Sequence, residues 1–128
     1  MIVDASAICA IVLGEAEGAA FGARLRAASE RAVSAINLFE AVLIARRYAA
    51  EPALRVLVEQ AAILVIPCDA ALTERALAAH ARYGKGNHRA KLNLGDCYAY
   101  ALSKASGRPL LFKGRDFALT DVAPALTP

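Results

Sequence analysis

The sequence predicts an α/β fold: a central, mainly parallel sheet of four or five strands flanked by helices. Three observations lead there. Short runs of Ile, Val and Leu alternate along the chain with longer segments of helical periodicity. Acidic residues follow the first and last of these runs, at Asp4 and Asp116, where a parallel sheet gathers its ligands beyond the strand ends. The length, 128 residues, suits one hydrophobic core, so residues 1–128 are expected to form a single domain.

Each element has its own signal. Met1-Ile2-Val3 reads as a short buried strand with Asp4 at its carboxyl end. Residues 5–13 turn helical, with Ser6 near the start as a cap, and Gly14 ends the segment. A second helix is expected over residues 15–28, with Ala16, Ala20, Phe21 and Leu25 on one face. Residues 31–35 read as the second strand and residues 36–49 as a strong helix. Pro52 marks a break, after which residues 53–61 resume as a short helix. The run Ile63-Leu64-Val65-Ile66 is a third strand, ended by Pro67. Asp69 also follows a strand, but it is explained most simply as the N-cap of a helix over residues 70–83. Residues 85–92 form a loop, and Asn93 caps a helix that runs to about residue 105 and stops at Gly107. That cap places Asp96 near the third helical position, where free N–H groups and the helix dipole favour an ionised carboxylate. Pro109-Leu110-Leu111-Phe112 is a fourth strand, and Gly114-Arg115-Asp116-Phe117 turns into a short helical segment. In the tail, Val122 and Leu126 supply a last edge strand.

Composition narrows the function. Hydrophobic residues make up 58% of the chain, above the usual ~45–50%, with alanine accounting for much of the excess. The longest uncharged run, residues 5–14, is far below the ~20 residues of a membrane span, and no basic segment precedes the first apolar residues, so a cytoplasmic protein is expected. Cys9, Cys68 and Cys97 form no CxxC pair and read as reduced core residues. His80 and His88 make no zinc pattern with them. The net charge of +3 is mild, but Arg82, Lys85, His88, Arg89 and Lys91 crowd one stretch without an acid. Such a patch suits a phosphate backbone, and a solvated loop accounts for it equally well.

Glu40 is the sharpest local signal. Its i−4, i+3 and i+4 neighbours, Ile36, Leu43 and Ile44, are apolar, so the carboxylate points toward the apolar side of its helix. A lone buried carboxylate is costly unless paired or metal-bound; the plain alternative is a side chain that snorkels to water or pairs with Arg47. The topology brings Asp4, Asp96 and Asp116 to one rim, and Glu40 joins them from its helix. Clustered carboxylates with no His or Cys at ligand spacing describe a site for a hard cation, Mg²⁺ or Mn²⁺, which would neutralise charges that otherwise repel. Such ions activate water and stabilise the leaving oxygen in phosphodiester hydrolysis. No P-loop, GxGxxG or GxSxG motif is present.

Four segments together carry a family resemblance. They are Met1-Ile2-Val3-Asp4-Ala5-Ser6-Ala7, Glu40 in the helix after a Ser-containing strand end, Leu92-Asn93-Leu94-Gly95-Asp96-Cys97 with Tyr98-Ala99-Tyr100-Ala101, and Pro109 to Phe112 continuing through Lys113-Gly114-Arg115-Asp116-Phe117 to Asp121. In order and spacing the chain resembles the PIN-domain ribonucleases, in particular the VapC-type toxins of bacterial toxin–antitoxin modules. The resemblance implies a PIN-like parallel sheet and endonucleolytic cleavage of RNA at an Mg²⁺ or Mn²⁺ site. Asp4, Glu40, Asp96 and Asp116 match the family's four acids. Asp4 and Asp96 would be the main metal ligands, Glu40 a ligand or water-orienting base, and Asp116 would complete the cluster. Ser6 matches a small hydroxyl that supports the first acid, and Asp121 is a further supporting candidate. Arg82, Lys85, His88, Arg89, Lys91 and Arg115 are the RNA-binding candidates. Family members form homodimers and are inhibited by a cognate VapB-like antitoxin whose C-terminal segment fills the groove, where an Arg or Lys would reach the carboxylates. The chain departs from the family in having Phe112-Lys113 where many members carry Thr or Ser, and Arg115 where others carry a second acid.

A different class competes with this reading: a non-catalytic α/β binding module with an acidic metal pocket, such as a receiver-like domain. It needs paired acids beside a central acceptor Asp, and the first strand offers only Asp4. An Asp-nucleophile phosphatase needs DxD, where this chain has Asp4-Ala5-Ser6.

Overall fold

The computed structural model describes residues 1–127. Four strands, β1 (Ile2–Val3), β2 (Ala32–Ser34), β3 (Leu64–Ile66) and β4 (Leu110–Leu111), form one sheet in the order β3-β2-β1-β4, every pairing parallel. Six helices connect them: α1 (Ala5–Val12), α2 (Gly18–Ala27), α3 (Ala35–Arg46), α4 (Glu51–Gln60), α5 (Ala70–Tyr83) and α6 (Leu94–Ser106). A 3-10 turn, Phe117–Leu119, follows β4. The expected α/β fold with a mainly parallel sheet is therefore present. The tail adds one bridge beside β4, Leu110 to Pro124, in place of a full fifth strand.

Strand alternation divides the core in two. Ile2, Ala32 and Leu110 face α5 and α6. Met1, Val3, Val33 and Leu111 face the other way, against α1, α3 and Leu54 of α4. β1 lies between β2 and β4, and the chain reverses direction across it: the first crossover leads to β2 and the last returns to β4. The crevice at such a reversal, beyond the strand ends, is where open α/β sheets bind ligands. Helices α1 and α3 start there without a connecting loop, because Asp4 and Ser34 each end a strand and cap the next helix.

Several elements depart from expectation. The cap of α1 is Asp4, which accepts from Ser6 N–H, so Ser6 supports the cap rather than supplying it. On α2 the buried face is Gly18, Phe21, Gly22 and Leu25, while Ala16 and Ala20 are exposed. α2 lies so close to α1 that a Cβ on Gly18 would stand 2.4 Å from the Ala10 carbonyl oxygen. Pro52 lies inside the first turn of α4, where its missing N–H is not needed. β3 is an open edge, with Leu64 and Val65 exposed. Cys9 and Cys97 are buried free thiols, and Cys68 is half-buried.

Candidate active site

Asp4 is the innermost acid. It is 3% exposed, and its Oδ2 accepts from Ser6 N–H at 3.0 Å and from Ser6 Oγ at 2.5 Å. Ser6 Oγ in turn accepts from the Lys113 N–H at 3.0 Å, which fastens the loop after β4 to the end of β1. Burial pushes the Asp4 carboxyl above its usual range, against the bonds from Ser6 and the Ala5 N–H. Its other oxygen, Oδ1, is buried and has no hydrogen-bond partner. A buried carboxylate oxygen left bare is expensive, and in this position it is free to accept a ligand from the rim.

Asp96 stands at the third position of α6 in a capping box: Asn93 Oδ1 accepts from Asp96 N–H at 2.8 Å, and Asp96 Oδ2 accepts from Asn93 N–H at 3.0 Å. The sequence pointed to a carboxylate held ionised by the helix start. The structure reverses the balance: burial, then the charges of Asp4 and Asp116, outweigh the Asn93 N–H and push it up to about 6. Glu40 is pushed up to about 7 by burial, then by Asp4 and Asp96. It makes no ion pair with Arg47, and its carboxylate lies against Gly95, where a Cβ would come within 2.8 Å of Oε2. Asp116 is exposed at the start of the 3-10 turn, near enough for its charge to act on Asp96. The four acids thus share one electrostatic neighbourhood. They line a rim rather than a ready-made cage: among the described residues no three His, Cys, Asp or Glu side chains are gathered to hold a metal ion. One oxygen each of Asp4 and Asp96 is engaged in capping, and the bare Asp4 Oδ1 is the atom whose state fits a cation.

The apolar stripe around Glu40 is core only in part: Ile44 packs against the core, Ile36 is half-buried and Leu43 is exposed. Asn37, Ala41, Val42 and Ala45 form the buried face of α3, whereas Phe39 is 64% exposed and Leu43 is also exposed. With Leu94, 65% exposed, they border an apolar groove that contains Glu40 and ends at Arg47.

The basic residues divide. Lys85, Arg89 and Lys91 are exposed on a loop closed at its base by Lys85 N–H to Leu92 O and Leu92 N–H to Tyr83 O. Asn87 Nδ2 ties the loop to His80 O at the end of α5. No acid lies within ion-pair distance of these three cations among the described residues. The loop runs directly into Asn93 and Asp96. His88 turns inward instead: its Nδ1 accepts from Ala90 N–H and its ring packs edge-on against Tyr83. Arg82 stacks on Tyr83 and pairs with Asp121. Asp121 has no contact with the acidic rim. Tyr100 Oη donates to it at 2.5 Å, and Lys104 lies 3.1 Å away; these partners hold it down at about 2. Arg115 is exposed beside Phe112, and Lys113 is engaged by Glu15 and Glu17.

The sequence reading overlooked Asn37. Its side chain is fully buried: Oδ1 accepts from Ser34 Oγ and Nδ2 donates to Gly95 O of α6, while its backbone N–H donates to Ser34 Oγ. The Ser-x-x-Asn spacing at a helix start was the available signal.

A parallel sheet with acids following β1 and β4, in which Glu40 and Asp96 are both raised by neighbouring acids and a basic loop leads into α6, has the features of a metal-assisted phosphodiesterase class of α/β domain. The PIN domain family model matches residues 1–123. Ribonuclease VapC30 of Mycobacterium tuberculosis is 40% identical over 131 residues, covering 100% of both chains. Ribonuclease VapC of Mycolicibacterium smegmatis is 40% identical over 126 residues, 96% of this chain and 98% of the relative. This chain belongs to the PIN domain family, among the VapC ribonucleases. Two solved structures share the fold. The Mycobacterium tuberculosis VapC20 toxin, which cleaves the sarcin–ricin loop, superposes with a TM-score of 0.79 at 18% identity over 99% of this chain and 98% of that one. A toxin–antitoxin complex from Klebsiella pneumoniae gives 0.72 at 22% identity over 94% and 92%. As a VapC ribonuclease the chain is a hydrolase of a divalent-metal-dependent family. No helix among the described residues is long and apolar enough to cross a membrane.

Proposed function

We propose that residues 1–128 act as one cytoplasmic PIN-like domain that cuts RNA endonucleolytically with Mg²⁺ or Mn²⁺ held by Asp4, Asp96, Glu40 and Asp116. The observation that carries this is the bare, buried Asp4 Oδ1 on an acid whose charge helps push Glu40 and Asp96 up to about 7 and 6. Carboxylates raised in this way are short of positive charge, and an all-oxygen donor set suits a hard divalent cation. When bound, the ion supplies Lewis acidity and an activated water for phosphodiester hydrolysis. Ser6 fixes the orientation of Asp4, and the capping box fixes Asp96. Glu40, near neutrality in its proton affinity, is suited to orient the attacking water and take its proton. Lys85, Arg89 and Lys91 guide the RNA backbone toward Asp96, with Arg115, exposed next to Asp116, as a further phosphate contact.

The exposed groove of Phe39, Leu43 and Leu94 beside Glu40 fits an amphipathic antitoxin segment, with a cation directed at the carboxylates. We assign the partner as a VapB-like antitoxin and the toxin as a homodimer. The test is cleavage of a mixed RNA pool by antitoxin-free protein in Mg²⁺, Mn²⁺ or EDTA, beside Asp96→Asn. Cleavage that needs metal and disappears in the variant is expected. Cleavage that persists in both EDTA and Asp96→Asn overturns the site, and folded protein inert in every metal favours a non-catalytic binding module.

A further inference from the structure

Asn37 is a wholly buried amide on the apolar side of α3, with no contact to RNA or metal in the reading above. An amide in such a place costs free energy unless each polar atom is satisfied, and an apolar side chain would fill the space without that cost. Its bonds are directional. Ser34 Oγ accepts from Asn37 N–H at 3.0 Å and donates to Asn37 Oδ1 at 2.5 Å, so the amide cannot flip without losing a partner. The free end, Nδ2, then donates to the carbonyl of Gly95 at 3.0 Å, across 58 residues of sequence. Gly95 precedes Asp96 in the first turn of α6, and Glu40 lies one turn beyond Asn37 on α3. At the same contact Gly95 has no side chain, and a Cβ would stand 2.8 Å and 3.0 Å from the two Glu40 carboxylate oxygens. One polar bond and one missing methyl group therefore fix the same spot, where the two helices meet at the rim.

We propose that Asn37 is a positioning residue: the Ser34–Asn37–Gly95 relay docks α3 on the first turn of α6 so that Glu40 and Asp96 face one cation. The inference rests on the metal-nuclease reading and adds to it the group that sets the separation of two of its acids. Residues that orient metal ligands typically change metal affinity 10- to 100-fold when removed.

The test is Mn²⁺ binding to metal-free protein, followed by calorimetry, together with steady-state RNA cleavage. Asn37→Ala is expected to weaken Mn²⁺ binding about 10- to 100-fold and to lower kcat while KM for RNA stays within about twofold. Ser34→Ala frees the amide to rotate and is expected to move both quantities in the same direction by less, which keeps the relay testable should Asn37→Ala fold poorly. Leu54→Ala, buried in α4 away from the rim, serves as a control. At an equal loss of melting temperature it should leave Mn²⁺ binding unchanged. Combined with Glu40→Gln, Asn37→Ala should add less than about threefold, because the two act on one contact. Wild-type affinity and kcat in folded Asn37→Ala, or full additivity with Glu40→Gln, overturn the relay alone. Wild-type protein that binds no Mn²⁺ overturns the metal-nuclease reading and the relay with it.

Discussion

Divalent-metal affinity should fall steeply between pH 8 and pH 6. A carboxylate binds a cation only without its proton, so protons compete for the same oxygens. With Glu40 pushed up to about 7 and Asp96 to about 6, both are ionised at pH 8. At pH 6 about nine in ten Glu40 side chains and about half of the Asp96 side chains keep their protons. Binding at pH 6 must then expel between one and two protons, and affinity should be about 20-fold weaker than at pH 8. The raised Asp4 acts in the same direction. The assay is calorimetric titration of Mn²⁺ into metal-free protein at pH 6, 7 and 8. Buffers of different ionisation heat count the protons released. Glu40→Gln should remove most of the slope between pH 6 and 8, leaving the shallower part due to Asp96. Affinities within about twofold at pH 6 and pH 8, with no proton release, would refute the reasoning, because the acids would then be ionised already without metal.

Three further outcomes are expected. Without metal, the raised Glu40 contributes stability that is present below about pH 4.5 and lost as the pH rises through about 7. Denaturation in EDTA should show roughly 1–2 kcal/mol of this between pH 5 and pH 8, after allowance for partial exposure, and an undiminished drop in Glu40→Gln contradicts the assignment. Replacing Lys85, Arg89 and Lys91 together by Ala should weaken binding of single-stranded RNA and reduce the slope of log affinity against log salt by about 2, since each lost phosphate contact is worth about 0.7; an unchanged slope removes the loop from the RNA path. Gly95→Ala should keep or slightly raise the melting temperature, because alanine favours a helix over glycine by about 1 kcal/mol and the Cβ meets only the movable end of Glu40, yet RNA cleavage should drop at least about tenfold. Full activity in that variant would show that the position of Glu40 is not critical.

The parts of this protein that the sequence disclosed are those fixed by local rules. Asn93 three residues before Asp96 specifies a capping box, and the structure forms it. Gly107 takes φ +66 and ends α6 where expected. The parts it concealed depend on what packs against what. Ile36, Leu43 and Ile44 look like a core stripe by spacing, but two apolar faces of α3 compete, and the buried one contains the small residues Ala41 and Ala45 that let α1 approach. The apolar run of β3 reads as interior, yet nothing among the described residues covers that sheet edge, so Leu64 faces outward. Asp121 stands close in sequence to Asp116, but Tyr100, Lys104 and Arg82 draw it to the α5–α6 side. Asn37 was missed because a single polar residue in an apolar helix gives no sign of its partner until the Gly95 carbonyl is placed opposite it.

The rim also shows why mutations at these acids need care in interpretation. Asp4 caps α1 and Asp96 closes the capping box of α6, so two of the four acids terminate the helices that carry the site. Removing a cap typically costs about 1 kcal/mol, independent of any role in chemistry. Truncation to Ala therefore combines a loss of helix start with a loss of negative charge. Asn keeps an acceptor oxygen for the Ser6 or Asn93 N–H while removing the charge, and it separates the two effects. The same double use accounts for the open arrangement of the acids. Each of these carboxylates keeps one oxygen on its own helix start and leaves the other without a hydrogen bond to that start, so helix formation itself fixes where both groups sit. Glu40 has no such anchor and depends on the contact between α3 and Gly95 to reach the same place.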